Sequence, residues 1–243
     1  MNLSFPTPAI FAHRGASRYA PENTLSAFQL ALEQRADGIE LDVHLSADGE
    51  VVVIHDRDLS RTTNGAGYVD RMPLTEIRQV DAGQGQRVPT LTEVLDLVGI
   101  KAILNIELKG FSTSSPDLPQ AVLNLLEAHS MDQNVIISCF QPRLLAITRR
   151  LQPEIKIGLL MAAGVTGGLV KMIYEPILQP SSLHPNYSSV GPRFLQKAKS
   201  KGRRVLAYTV NQPEDMRRLF GLGIDGIITD DPRTAIQVRE EIG

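Results

Sequence analysis

A single cysteine in 243 residues excludes an internal disulfide and any cysteine-rich zinc site. Cys139 sits in the apolar run Val135-Ile136-Ile137-Ser138-Cys139 and reads as a small buried hydrophobe. The chain has no basic block and no acidic tail, and its formal net charge is only −2. Nothing in that balance attracts nucleic acid or predicts a stable association with membranes. No apolar stretch approaches the roughly 20 residues of a membrane span. The start, Met1-Asn2-Leu3-Ser4-Phe5-Pro6, lacks the charged and apolar regions of a signal peptide. A soluble cytoplasmic protein is therefore expected. The chain also lacks internal repeats, low-complexity tracts and linkers, so residues 1–243 are expected to form one domain. Its oligomeric state is not legible.

What is present is an ordinary globular balance, 42 % hydrophobic and 21 % charged, with enough apolar material for a sizeable core. Short β-branched runs at 8–12, 38–43, 103–108, 135–139, 156–161, 181–184, 204–210 and 225–229 alternate with helical patterns. Those patterns include Asn23–Glu33, Asp117–His129, Pro142–Leu151, Pro192–Ser200, Pro213–Phe220 and Pro232–Glu241. Pro142, Pro213 and Pro232 suit the first helical position. Eight such units predict a (β/α)8 barrel, although residues 156–185 are ambiguous. Asp48-Gly49 between two strand-like runs predicts a hairpin. Residues 44–100 are read as that hairpin plus a small insertion after strand two, packed over the barrel mouth. Gly164-Val165-Thr166-Gly167-Gly168 lacks the spacing of a phosphate or dinucleotide loop and is read as a mobile loop.

The most informative segment is Glu40-Leu41-Asp42-Val43. Strand side chains alternate faces, so two carboxylates share one side of an apolar strand. Asn105, Glu107 and Lys109 repeat the device on Ile103–Lys109. Three carboxylates from two strands repel one another unless a cation joins them. Ion pairing with Lys109 alone leaves an excess of negative charge, so one hard divalent cation is expected, and the all-oxygen set favours Mg2+ or Ca2+. His13 and His55 end strand-like runs at the same expected barrel mouth and are candidate proton carriers. Arg14 and Lys109 are candidate phosphate anchors. Thr229-Asp230-Asp231-Pro232, at the usual barrel phosphate site, would repel phosphate, and Asp231 is expected to cap the last helix. His44 shares parity with Glu40 but is expected beyond the barrel, partly in solvent. His129 suits a helix C-terminus. His184, Phe140 and Tyr208 are candidate substrate contacts, with core packing an equally good account of each.

These segments resemble the glycerophosphodiester phosphodiesterase family, most closely its cytoplasmic bacterial members. His13-Arg14-Gly15 and Ala20-Pro21-Glu22-Asn23-Thr24 are similar to its opening signature. Glu40-Leu41-Asp42-Val43, His55-Asp56 and Asn105-Ile106-Glu107-Leu108-Lys109 are similar to its later blocks, and Tyr208-Thr209-Val210-Asn211 and Gly223–Pro232 to its C-terminal end. The resemblance implies a TIM barrel that hydrolyses deacylated phospholipids to sn-glycerol 3-phosphate and an alcohol. It implies Glu40, Asp42 and Glu107 as ligands of one divalent cation, His13 and His55 as the acid–base pair, and Arg14 and Lys109 on the phosphate. It further implies attack by the substrate's own glycerol 2-hydroxyl. Tyr208 stands where the family often has Trp. Rival readings are a lysophospholipase D-type phosphodiesterase and a non-catalytic phosphodiester-binding barrel.

Overall fold

Eight parallel strands close on themselves with a helix following nearly every one, in a computed structural model that describes residues 6–110 and 117–242. The strands are β1 (Ala9–His13), β2 (Gly38–Leu45), β3 (Val51–Val53), β4 (Ile103–Leu108), β5 (Val135–Cys139), β6 (Lys156–Met161), β7 (Ser182–Pro185), β8 (Arg204–Ala207) and β9 (Gly226–Thr229). The order β1-β9-β8-β7-β6-β5-β4-β2, with β1 pairing back to β2, is a (β/α)8 barrel. β3 is extra: it pairs antiparallel with β2, placing Val52 opposite His44. This is the expected hairpin.

The outer ring contains α1 (Leu25–Glu33), the short α2 (Leu74–Ile77), α3 (Leu91–Val98), α4 (Asp117–Ala128), α5 (Pro142–Leu151), α6 (Gly164–Leu178), α7 (Pro192–Ser200), α8 (Pro213–Gly221) and α9 (Pro232–Ile242). The start signals act as their chemistry requires. Thr24 accepts from the Ala27 amide at the head of α1, and Thr90 with Glu93 forms a reciprocal capping box on α3. Asp231 accepts from the Thr234 amide at 3.0 Å and caps α9, as its position predicts. Pro142, Pro192 and Pro213 occupy first-turn positions, where the missing N–H costs nothing.

Strand alternation sorts the core into two compartments. Ile39, Leu41, Leu104 and Ile106 face outward into the layer shared with the helices. Phe11, Ile103, Ile136, Leu206 and Ile228 plug the barrel interior. A third small cluster, including Val52, Leu59, Val69 and Ile77, gives the inserted segment its own core. Within 44–100, however, α3 is part of the ring: it packs between α1 and α4. Two further readings are corrected. Gly164–Gly168 opens α6 rather than forming a loop, and the glycine-rich composition had obscured it. His44 is buried, not solvent-facing, and its Nε2 lies 3.0 Å from the His55 carbonyl, because the hairpin covers it. None of the described helices is long and apolar enough to cross a membrane.

Candidate active site

Strand alternation puts Glu40, Asp42, Asn105 and Glu107 on the inner face, and the β2–β4 register sets Asp42 beside Glu107 and Glu40 beside Asn105. Oxygens of Glu40, Asp42 and Glu107 lie within 4.8 Å of one another. Ligands of one Ca2+ at 2.3–2.6 Å can be up to roughly 5 Å apart, so this spacing suits a hard cation. All three carboxylates are buried.

Burial and mutual repulsion pull the three carboxyls apart in their tendency to ionise. Burial, then Asp42 and Glu107, holds the Glu40 carboxyl well above the usual carboxylate range. Burial and Asp42 push Glu107 up to about 7, against the pull of Lys109. Asp42 goes the other way: burial alone would raise it, but Lys109 and Arg14 outweigh burial and keep it ionised. Lys109 Nζ is 3.1 Å from Asp42 and 2.6 Å from Glu107. Arg14 Nε lies 3.4 Å from Asp42, while its Nη1 donates to Glu22 at 2.7 Å. Glu22 is in turn gripped by both terminal nitrogens of Arg61 from the insertion. Asn23 donates to Asp42 at 2.8 Å and accepts its backbone amide at 3.3 Å.

Backbone strain fixes Arg14. Its φ is +56°, followed by Gly15 at +81°. A Cβ on Gly15 would lie 2.6 Å from the Ala27 carbonyl carbon, so no other residue fits this turn. The turn aims the Arg14 amide at Glu40 Oε2, 3.1 Å away, and such strain is commonly stored at functional sites.

Two histidines flank the carboxylates in matching arrangements. His13 Nδ1 is 2.5 Å from Asp230 Oδ1, and its Nε2 is 3.9 Å from Glu40. His55 Nδ1 is 2.5 Å from Asp56 Oδ1. A bond to Arg61, assisted by His55, holds Asp56 down to about 2, so it is an anion that can only accept. Each imidazole is thus held through Nδ1–H by a carboxylate, which leaves Nε2 for proton transfer. Asp230 is itself fixed by Asn211 Nδ2 at 2.6 Å and Ser17 Oγ at 3.2 Å. Asp230 therefore serves His13 instead of merely excluding phosphate.

Both histidines line one cavity of about 230 Å3, together with Arg14, Glu40, Glu107 and Lys109. One wall is apolar. Phe140 and Tyr208 meet edge to face with ring centroids 5.9 Å apart, and the Tyr208 hydroxyl donates to the Met161 carbonyl at 2.9 Å. Burial, then Glu107, pushes the Tyr208 hydroxyl up to about 12, so it stays neutral. His184 does not reach this cavity. It is fully buried, its ring is packed on Gly158, and Ser182 Oγ lies 2.8 Å from its Nε2. Burial lowers it to about 3 and keeps it neutral. A larger cleft of about 570 Å3, near Leu32, Arg35, Asp37 and Ile103, opens at the opposite end of the barrel, away from the carboxylates.

Sequence reasoning missed Asp56, Asp230, Glu22 and Asn105 as site members. Asp56 had a signal, adjacency to His55. Asp230 had only its place at a strand end, since its partner lies 217 positions away. Asn105 is buried and lines the cavity, and neither atom of its amide bonds to any described residue.

The chain matches the Glycerophosphoryl diester phosphodiesterase family over residues 13–234. It is 41 % identical to a glycerophosphodiester phosphodiesterase of Caldanaerobacter subterraneus subsp. tengcongensis, covering 96 % of this chain and 98 % of that protein. It is 34 % identical to one from Bacillus altitudinis, covering 96 % and 98 %. Among solved structures, an Oleispira antarctica phosphodiesterase in complex with the product sn-glycerol-3-phosphate superposes with a TM-score of 0.88 at 32 % identity, over 96 % of this chain and 97 % of that one. Barrel, carboxylate cluster and near-full-length likeness agree, and the chain belongs to the glycerophosphoryl diester phosphodiesterase family.

Proposed function

We propose that this chain hydrolyses small glycerophosphodiesters, such as glycerophosphocholine or glycerophosphoethanolamine, to sn-glycerol 3-phosphate and an alcohol, with one Mg2+ or Ca2+ held by Glu40, Asp42 and Glu107. The observation that carries the reading is the cavity itself: two histidines, each held at Nδ1 by a carboxylate, share it with Glu40, Glu107, Arg14 and Lys109, and the buried Asp42 completes the three-carboxylate cluster. The likeness to relatives bearing that activity supports it. A bound divalent cation would act as a Lewis acid toward a phosphoryl oxygen.

The chain's own residues supply the rest. Arg14 and Lys109 offset the anionic charge of the diester and the charge that grows in the transition state. One imidazole Nε2 takes a proton from the nucleophile, and the other gives one to the departing alcohol. Burial, the leading influence on His55, lowers its pKa and keeps it neutral, ready to accept. We assign His55 as base and His13 as acid. The glycerol 2-hydroxyl is the proposed nucleophile, since its tether to the phosphorus removes much of the entropic cost of attack. Attack expels the alcohol and leaves a cyclic phosphate, which water then opens. Phe140 and Tyr208 would pack against glycerol or the alcohol. At about 230 Å3 the cavity is smaller than the roughly 300–1,000 Å3 typical of drug-sized ligands, which favours a deacylated diester over a lysophospholipid.

Released glycerol 3-phosphate, followed with a coupled dehydrogenase across several head groups, tests the proposal. Choline release from lysophosphatidylcholine without glycerol 3-phosphate from any small diester would move the assignment to the lysophospholipase D type. Binding without turnover would make the barrel a sensor. The same reading places the enzyme in the cytoplasm, in lipid and glycerol metabolism, with Cys139 as a buried thiol; cell fractionation checks the location.

A further inference from the structure

The helix α6 is built inside out. Its buried residues are Gly167, Glu175 and Leu178, whereas Val165, Leu169, Met172, Ile173 and Ile177 stand exposed, Val165 at 80 % and Ile177 at 70 %. At 100° per residue those five fall on one outward stripe, about 18 Å long at 1.5 Å per residue. A contiguous exposed apolar face of this kind marks an interaction surface.

The neighbours say what covers it. The helices α5 and α7 pack on either side: α5 contacts α6 directly, and Lys201 after α7 reaches Glu175 at 3.1 Å. Lys171 of α6 sits over the Phe194 ring of α7, 4.1 Å from its centroid. Neither flanking helix contains an acidic residue, while α5 carries Arg143, Arg149 and Arg150, and α7 carries Arg193, Lys197 and Lys199. Residues 141–204 hold eleven Lys or Arg and two Asp or Glu, a balance of +9 in a chain of net −2. The sequence read linearly has no basic block; the fold makes one around the apolar stripe.

We propose that α6, with its basic flanks, docks this enzyme reversibly on an anionic lipid surface. An apolar helical stripe flanked by Lys and Arg is the arrangement of an interfacial helix: aliphatic side chains enter the headgroup boundary while cations meet lipid phosphates. A second copy of the chain fits worse, because a two-fold contact across α6 would bring two +9 belts together. The stripe is convex and dominated by aliphatic side chains and Met, with Thr166 among them and Tyr174, 37 % exposed, outside it, and it holds no Trp or Arg anchor of a central protein–protein contact. The contact is peripheral, and its Val165 end lies at the barrel mouth, just beyond the Met161 carbonyl that Tyr208 holds.

Flotation of the full chain with vesicles of phosphatidylcholine, alone or doped with phosphatidylglycerol, tests this independently of catalysis. Binding to the anionic vesicles only, weakened by salt, is expected. Met172→Glu with Ile173→Glu should reduce binding to the level seen with neutral vesicles, leaving the circular dichroism spectrum and turnover of soluble substrate unchanged. Lys197→Gln and Lys199→Gln, both on the solvent side of α7, should each weaken binding about fivefold, and they keep the test open if the α6 variant does not fold. Absence of anionic-vesicle binding at low salt, or binding indifferent to both sets of substitutions, would overturn the proposal. A dimer seen by light scattering and dissolved by Met172→Glu would assign the face to a second copy instead.

Discussion

Replacing Lys109 by Met isolates the charge balance on which this site depends. Lys109 Nζ is nearly buried and touches Asp42 and Glu107 together, so it is the nearest compensating charge for both. Met fills similar volume without the ammonium. Removing one partner of a buried pair costs about 3–5 kcal/mol, because the remaining charge is left uncompensated. For a chain of this size each kcal/mol shifts Tm by about 2–4 °C, giving a fall of about 6–20 °C in the chelated protein. The deficit should shrink as pH falls, since protonating Glu40 and Glu107 removes the repulsion. Divalent cation should raise the stability of the chelated variant, by about 2.7 kcal/mol at a hundredfold over its Kd. Thermal melts with chelator and with Mg2+ measure both effects. In parallel, glycerol 3-phosphate release should lose most of its rate, and inhibition by glycerol 3-phosphate should weaken. A chelated variant as stable as the parent would refute the charge argument, and an unchanged inhibition constant would make Lys109 a barrel counter-ion with no role on phosphate.

His13→Ala and His55→Ala should each lower kcat at least about a hundredfold with the fold retained; near-normal kcat in either would make that histidine structural. Asp230→Asn should lose less, at most about a hundredfold, and should shift the pH–rate profile, because it loosens His13 without removing it; an unmoved profile would contradict the positioning role. Cation binding should tighten as pH rises toward about 7 and release a proton, because Glu107 is held up to about 7 and must ionise to ligate. The same shift destabilises the cation-free protein as pH rises from the unfolded carboxylate range, about 4.3, toward 7; calorimetry in buffers of different ionisation enthalpy reads the proton, and pH-independent affinity would count against Glu107 as a ligand. A 2-deoxy glycerophosphodiester should bind but turn over very slowly, and brisk hydrolysis would exclude the tethered hydroxyl.

The sequence carried the carboxylate cluster because strand parity is a local property. Glu40 with Asp42, and Asn105 with Glu107, needed only alternation to share a face, and two adjacent parallel strands then brought Asp42 beside Glu107. The partners of the histidines needed long-range closure. Asp230 meets His13 only because β9 returns to pair with β1, and from sequence alone its charge suggested no more than repulsion of phosphate. The burial of His44 and the alignment of Asp56 and Arg61 depend on how the insertion folds back over β2, which no periodicity encodes. The helix α6 hid for a different reason. Gly164, Gly167 and Gly168 lower its propensity, and its apolar residues face outward, so the usual link between apolar stripe and core was inverted.

On the proposed mechanism the three-carboxylate site must hold a divalent cation for the chain to split a glycerophosphodiester. Protein stripped exhaustively with EDTA and then titrated with Mg2+ or Ca2+ tests it most directly, with glycerophosphocholine as substrate and glycerol 3-phosphate as readout. Activity should vanish on stripping and return with the added ion, while Glu40→Gln, Asp42→Asn and Glu107→Gln each demand more ion for the same rate. Full turnover in the stripped protein would remove the cation from the mechanism.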